Sequence, residues 1–207
     1  MYLKEFRHLV HDALEDWSIT HGFRRRRSQR FARIVGEMRV DVIEIQKLSG
    51  SPKCCVNLGT DYVFLPNFGS SDPPHSPLDL RQSECLFGTR IKLPEQSDTW
   101  WEMTDENAAK VADAISEYAL AFFERYQLDA EIDRITPDDC VDGPPTLLTD
   151  HFAPERCLLF LAQVREHAGR TAEAIAFAKL GIEAANKRRY GTSIYYLQRL
   201  LARLQKG

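Results

Sequence analysis

The sequence predicts an α+β protein: an antiparallel β-sheet of about four strands with packed helices, followed by a C-terminal α-helical hairpin and one further helix. Apolar residues recur at helical spacing over residues 2–17 and 104–126. Between these helices, segments rich in β-branched and aromatic residues follow one another through connections too short for helical crossovers. Three more stretches with helical periodicity follow residue 153.

The predicted strands occupy residues 31–35, 38–47, 53–65 and 84–93. In the second strand, Val40 and Val42 share one face. Ile43 and Ile45 share the other face, so both faces are partly apolar. We therefore expect helices to cover the sheet on both sides, unless a bulge near Val42 reverses the alternation.

Two local features define the rest of this part of the chain. A proline-rich loop is predicted at residues 66–83, between the third and fourth strands. Thr104 is the predicted N-cap of the second helix, with Asp105 and Glu106 favourably placed in its first turn.

Changes in composition predict three parts of the chain. Residues 1–127 are expected to form the α+β domain. Residues 128–152 are acidic and interrupted by proline and glycine, which predicts a linker. Residues 153–207 are predicted to be a helical extension that docks on the first domain or on another chain, because so few helices bury little surface by themselves.

Charge is unevenly distributed although the formal net charge is only -3. Residues 21–50 hold eight basic and three acidic side chains, residues 98–142 three basic and thirteen acidic, and residues 165–207 nine basic and three acidic. Internal pairing of these blocks is one explanation. The near-neutral total argues against a dedicated nucleic-acid or membrane-surface protein, and the ordinary composition excludes disordered, collagenous and coiled-coil classes.

The five cysteines predict a cytoplasmic protein with reduced thiols. Their number is odd and no CxxC motif occurs, so neither a zinc ribbon nor a thioredoxin-like motif is supported. The charged N-terminus lacks the apolar stretch of a secretory signal, and no segment has the length of a membrane span.

Six arginines form a candidate basic patch: Arg24, Arg25, Arg26, Arg27, Arg30 and Arg33. They could bind phosphates or an acidic protein partner. Few aromatic residues accompany them, and strand alternation places only about half of them on one surface. A solvated face or a charged edge strand is the alternative interpretation.

A candidate ligand-binding cleft is formed by polar residues within the predicted strands and by two tryptophans that could wall it: Gln46, Asn57, Arg90, Trp100 and Trp101. Polar groups on a covered sheet must be hydrogen-bonded or line a cavity. A structural polar network or an exposed sheet edge would explain the same residues.

Catalytic and metal-binding patterns are not found in the sequence. It lacks the GxSxG, P-loop, GxGxxG and HExxH motifs. His8 and His11 are three residues apart, but no third ligand is spaced to complete a metal site. We therefore predict no catalytic residue, no metal and no cofactor.

The order of features resembles an uncharacterised bacterial family, domain of unknown function 4304, over about residues 2–127. The resemblance rests on these segments: Gly22-Phe23-Arg24-Arg25, Ile45-Gln46-Lys47, Val56-Asn57-Leu58-Gly59, the strand with Arg90, Trp100-Trp101, and the helix ending in residues 118–123. It implies an α+β domain with an antiparallel sheet and brings no established activity. Residues 153–206 more weakly resemble a tetratricopeptide-type hairpin, with about one and a half units.

These features favour a non-catalytic protein-binding module in the bacterial cytoplasm, of which an immunity protein against a toxin is a specific version. One alternative is a small-molecule-binding protein or enzyme with a cleft at the sheet. The other is nucleic-acid binding through the arginine-rich hairpin, which the charge pattern favours less. The sequence predicts neither the partner nor the oligomeric state.

Overall fold

A computed structural model describes residues 2–26, 30–66, 76–92, 99–150, 152–189 and 191–206. The chain divides into two compact units, Met1–Gln127 and Leu128–Gly207.

Among its described residues, the first unit forms an antiparallel sheet and three α-helices, which confirms the predicted α+β class. Its helices are α1 (Leu3–Ala13), α2 (Glu15–Thr20) and α3 (Asp105–Arg125). Its strands are β1 (Arg24–Arg26), β2 (Arg30–Val35), β3 (Arg39–Lys47), β4 (Lys53–Tyr62), β5 (Phe87–Arg90) and β6 (Trp101–Glu102). The strands β1 to β5 pair in sequence order, and β6 pairs with the start of β4. The two strands beyond the predicted four, β1 and β6, are short.

Helices α1 and α3 cover one face of the sheet. Ile43 and Ile45 of β3 pack there in one core with Phe6 of α1 and with Val111 and Ile115 of α3, and all five side chains are fully buried. Each such side chain contributes about 1.5–3 kcal/mol through burial. Helix α3 begins where its sequence predicts, since the Thr104 hydroxyl accepts a hydrogen bond from the backbone N–H of Asn107 at 3.2 Å.

An irregular segment covers part of the opposite face. We call residues 76–86 the strap; it contains two short 3₁₀ turns, Pro77–Asp79 and Gln82–Glu84. Leu80 of the strap packs against Val40 and Val42 in a second apolar cluster. Both faces of β3 are thus apolar because helices α1 and α3 cover one face and the strap, which is not an α-helix, covers Val40 and Val42 on the other. The predicted strand at 84–93 begins only at Phe87, because its first residues belong to the strap.

The second unit contains the predicted helical hairpin and third helix. Its helices are α4 (Asp129–Arg134), α5 (Thr146–Thr149), α6 (Pro154–His167), α7 (Thr171–Arg188) and α8 (Gly191–Leu204). Gly181 of α7 lets the helices approach closely, since a Cβ atom there would lie 2.8 Å from Leu197 of α8 and 3.2 Å from Leu158 of α6.

The predicted acidic linker differs from the structure, because residues 128–150 fold as part of the second unit. Ile132, Ile135 and Leu148 are buried in this segment. The guanidinium of Arg165 in α6, itself fully buried, donates hydrogen bonds from Nη2 to the carbonyls of Ile132 and Ile135 at 2.9 and 2.7 Å. Proline and glycine form turns in this segment, and the apolar side chains between the turns are buried in the second unit. Docking of the C-terminal helices on the first domain remains a prediction.

Candidate functional site

Three of the predicted ligand-binding residues meet on the face of the sheet opposite α1 and α3. Strand register places Asn57 of β4 beside Arg90 of β5, and Gln46 of β3 beside Cys55. The pair of Asn57 and Arg90 is of the non-hydrogen-bonded type, in which the side chains approach most closely. The Asn57 side chain is buried, Arg90 is partly exposed and Gln46 is exposed.

The hydrogen bonds between these residues run in one direction. Arg90 donates from Nε to Asn57 Oδ1 at 3.0 Å. Since an arginine only donates, Asn57 must turn its oxygen toward Arg90 and its amide nitrogen toward Gln46. Asn57 Nδ2 accordingly donates to Gln46 Oε1 at 2.9 Å. The Nε2 group of Gln46 is thereby left as a donor without a partner among the described residues.

Trp100 completes this group, whereas Trp101 lies elsewhere. The guanidinium of Arg90 stacks over the ring of Trp100 at 4.7 Å from its centroid. Trp101 pairs with Cys54 in the sheet and is buried in the core beneath α1 and α3. Neighbouring residues of an extended chain point to opposite faces, so the two tryptophans cannot line one cleft. We call Gln46, Asn57, Arg90 and Trp100 the Arg90 cluster.

The thiol of Cys55 lies inside the Arg90 cluster but is not poised for nucleophilic chemistry. Its Sγ contacts Asn57 Oδ1 at 3.7 Å and Gln46 Oε1 at 3.9 Å. Burial raises the pKa of Cys55, although the charge of Arg90 and a hydrogen bond with Asn57 oppose this shift. Cys55 alternates with Asn57 along β4, so period-two spacing would have added it to the sequence-predicted residues.

Two charged residues of the same face hold the strap. Arg30 is only 1% exposed and donates from Nη1 to the carbonyls of Asp79 and Leu80. Glu44, beside Arg30 in the register, accepts a hydrogen bond from the backbone N–H of Gln82 at 3.1 Å. These groups bind the chain itself, so we assign them a structural role.

The candidate basic patch is divided by the sheet. Arg30 is buried under the strap, and Arg26 forms an ion pair with Asp79 at 3.3 Å. Arg33 lies on the other face, where it pairs with Asp41 at 2.9 Å. Arg24 and Arg25 are exposed on β1.

Arg27 lies outside the described residues.

Two buried titratable groups of the first unit, Asp61 and His11, have strongly shifted pKa values. Burial raises the pKa of Asp61 to about 7, although its Oδ1 accepts the Tyr62 N–H at 2.8 Å. Burial, helped by the charge of Arg25, lowers the pKa of His11 to about 4. The His11 ring packs edge-on against the Phe31 ring, and the two ring centroids are 4.6 Å apart. His11 therefore belongs to the core, and it does not share a ligand face with His8.

No helix among the described residues is long and apolar enough to cross a membrane. That part of the chain also contains no group of three or more His, Cys, Asp or Glu side chains arranged to hold a metal ion.

The chain is an α+β protein whose antiparallel sheet carries the Arg90 cluster, a polar and partly exposed group of side chains. The family described as domain of unknown function (DUF4304) matches residues 19–125, and the chain belongs to this family. No curated protein and no solved structure matches the chain. The tetratricopeptide-type resemblance of the C-terminal helices stays a prediction.

Proposed function

We propose that this chain is a non-catalytic protein-binding module that recognises an acidic segment of a partner protein at the Arg90 cluster. The observation that supports this most is the direction of the hydrogen bonds in the cluster. Arg90 and Gln46 offer N–H groups outward, while the acceptor oxygens of Asn57 and Gln46 are used inside the cluster. A ligand that fits must supply acceptor oxygens, as carboxylates do.

The surroundings of the cluster support an anionic ligand. Arg90 has five N–H donors, and among the described residues its contacts with Asn57 and Cys55 leave others available. The stacked Trp100 ring holds the guanidinium in place, which reduces the entropy lost on binding. Lys92, two residues further along, is exposed and adds positive charge.

Exposure favours a protein surface over a small molecule as the ligand. Gln46 is exposed, and Arg90 and Trp100 are partly exposed. We place the protein in the bacterial cytoplasm, in keeping with its five free cysteines. Neutralisation of a toxin, as in an immunity protein, is the specific version of this proposal.

The proposal is tested with a fluorescent peptide in which Glu alternates with Thr, and with its Gln-for-Glu counterpart. Anisotropy titration should show binding of the Glu peptide that weakens with salt. Arg90→Met should weaken it about 10- to 100-fold, since charge-assisted hydrogen bonds are lost. Arg24→Met removes an exposed charge at the other edge of the sheet and should have little effect.

Other results would contradict the proposal. No binding of the Glu peptide at low salt, or equal losses in the two variants, would reject recognition at the Arg90 cluster. Free glutarate that competes as strongly as the peptide would favour the small-molecule alternative. Tighter binding of a single-stranded oligonucleotide, lost with Arg24→Met, would favour nucleic acid.

A further inference from the structure

In the part of the chain that the structure describes, strand β5 forms an edge of the sheet beside the Arg90 cluster. It pairs with β4 on one side and is the last strand in the order β1 to β5. Gly88 and Thr89 are exposed on it. Unpaired edges are places where another strand can be added.

The register identifies which backbone groups of β5 point outward. The N–H of Ile91 donates to the carbonyl of Val56, so this pair and the pair of Thr89 with Leu58 are hydrogen-bonded pairs. Gly88 and Arg90 alternate with them. Their N–H and C=O groups therefore point away from β4, toward the free edge.

We propose that the partner's acidic segment binds as an extended strand added antiparallel to β5, hydrogen-bonded to Gly88 and Arg90. This inference rests on the proposed function and names the form in which the partner binds. In such a ladder, the partner residue opposite Arg90 directs its own N–H and C=O toward β5. Its side chain stands on the same face as the guanidinium of Arg90, within reach of an ion pair.

A second polar group lies at the spacing that an added strand requires. The side-chain amide of Gln82, from the strap, lies over Gly88 where a side chain would otherwise stand. The Gln82 amide therefore lies at position 88 of β5, two residues before Arg90 and on the same face of the strand. The two side chains offer hydrogen-bonding groups at neighbouring positions of that face. An extended segment with an acidic residue at every second position places one carboxylate beside each.

Two matched peptides test the antiparallel strand directly. Both alternate Glu with Thr; one is N-methylated at every Glu and the other at every Thr. If Glu side chains stand beside Arg90, the Glu N–H groups face β5, so methylation of Glu should abolish binding. Methylation of Thr, whose N–H groups point away, should leave the affinity within about threefold of the unmethylated peptide.

Hydrogen exchange followed by NMR supplies an independent measurement on the full chain. The amides of Gly88 and Arg90 should become protected when the unmethylated peptide binds, whereas those of Phe87 and Thr89 already bond to β4. Equal effects of the two methylations, or unchanged exchange at Gly88 and Arg90, would overturn strand addition. Loss of binding on Thr methylation instead would indicate a parallel strand and contradict the antiparallel one.

The outcomes separate the two proposals. Binding that needs Arg90 but is insensitive to methylation leaves acidic recognition standing and rejects strand addition. Binding that survives Arg90→Met rejects both. Protection at Arg25, whose N–H points away from β2, with none on β5, would move the contact to the opposite edge and also reject both.

Discussion

At the scale of single residues, Arg189 carries a backbone conformation that its side chain disfavours. It ends α7 with φ 58° and ψ 37°, in the left-handed region. Arg189→Gly should raise the free energy of unfolding by about 1 kcal/mol, because glycine adopts this conformation without steric cost. Urea denaturation measures the change.

The matched control is Lys187→Gly, an exposed position two residues earlier that is still helical. There glycine should lower the free energy of unfolding by about 1 kcal/mol, because it is a poor helix former. Changes of the same sign at both positions would contradict the conformational argument.

At the scale of elements, a pair of glycines lets the strap pack closely against the sheet. Gly59 lies opposite Gly88 in the register of β4 and β5. A Cβ atom at Gly59 would stand 2.7 Å from Cys85 Sγ and 2.9 Å from Cys85 Cβ, so part of the strap would have to shift. Gly59→Ala should lower the free energy of unfolding by about 1–3 kcal/mol, as expected for overpacking.

Chemical denaturation and amide exchange across the strap check this expectation, with faster exchange expected near Cys85. Gly191→Ala is the control, since a Cβ atom there meets nothing within 4 Å. If Gly59→Ala were as mild as the control, the strap would not depend on the glycine pair.

The buried guanidinium of Arg165 similarly fixes α4 to α6. Arg165→Met should cost about 3 kcal/mol or more, because several buried carbonyls lose their donors together. Amide exchange should rise across residues 128–140. Arg203→Met, which breaks the exposed ion pair with Glu166, should cost about 1 kcal/mol or less. Equal losses in denaturation would contradict the distinction.

At the scale of the whole molecule, periodicity predicted the elements that bury a regular apolar stripe or alternate cleanly, as in α3 and β3. It failed at residues 128–150, where Ile132 and Ile135 lie between turn-forming residues and have no period to reveal burial. The residues of the Arg90 cluster were predicted because they are polar side chains within strands, with a tryptophan nearby. The register that joins Asn57 to Arg90 spans a long loop and depends on the strap, so local sequence does not determine it. Strand alternation alone would have excluded Trp101.

Two buried groups give the first unit opposed responses to pH. The folded-state pKa of Asp61, about 7, lies above its ordinary value of 3.8, so the folded chain keeps a proton that the unfolded chain releases. Stability from Asp61 therefore falls as pH rises from about 4 to 7. The folded-state pKa of His11, about 4, lies below its ordinary 6.5. The unfolded chain takes up that proton, so stability from His11 falls as pH drops from about 6.5 to 4.

Over this shared range the two slopes oppose each other, and single substitutions should reveal each one. Asp61→Asn keeps an acceptor for the Tyr62 N–H, and its stability relative to the unsubstituted chain should rise with pH between about 4 and 7. The stability of His11→Leu relative to the unsubstituted chain should instead rise as pH falls below about 6.5. Each slope should reach at most about 1.4 kcal/mol per pH unit, the value for one proton. Urea denaturation at several pH values measures the two differences, and slopes of the same sign would show that burial does not control these two groups.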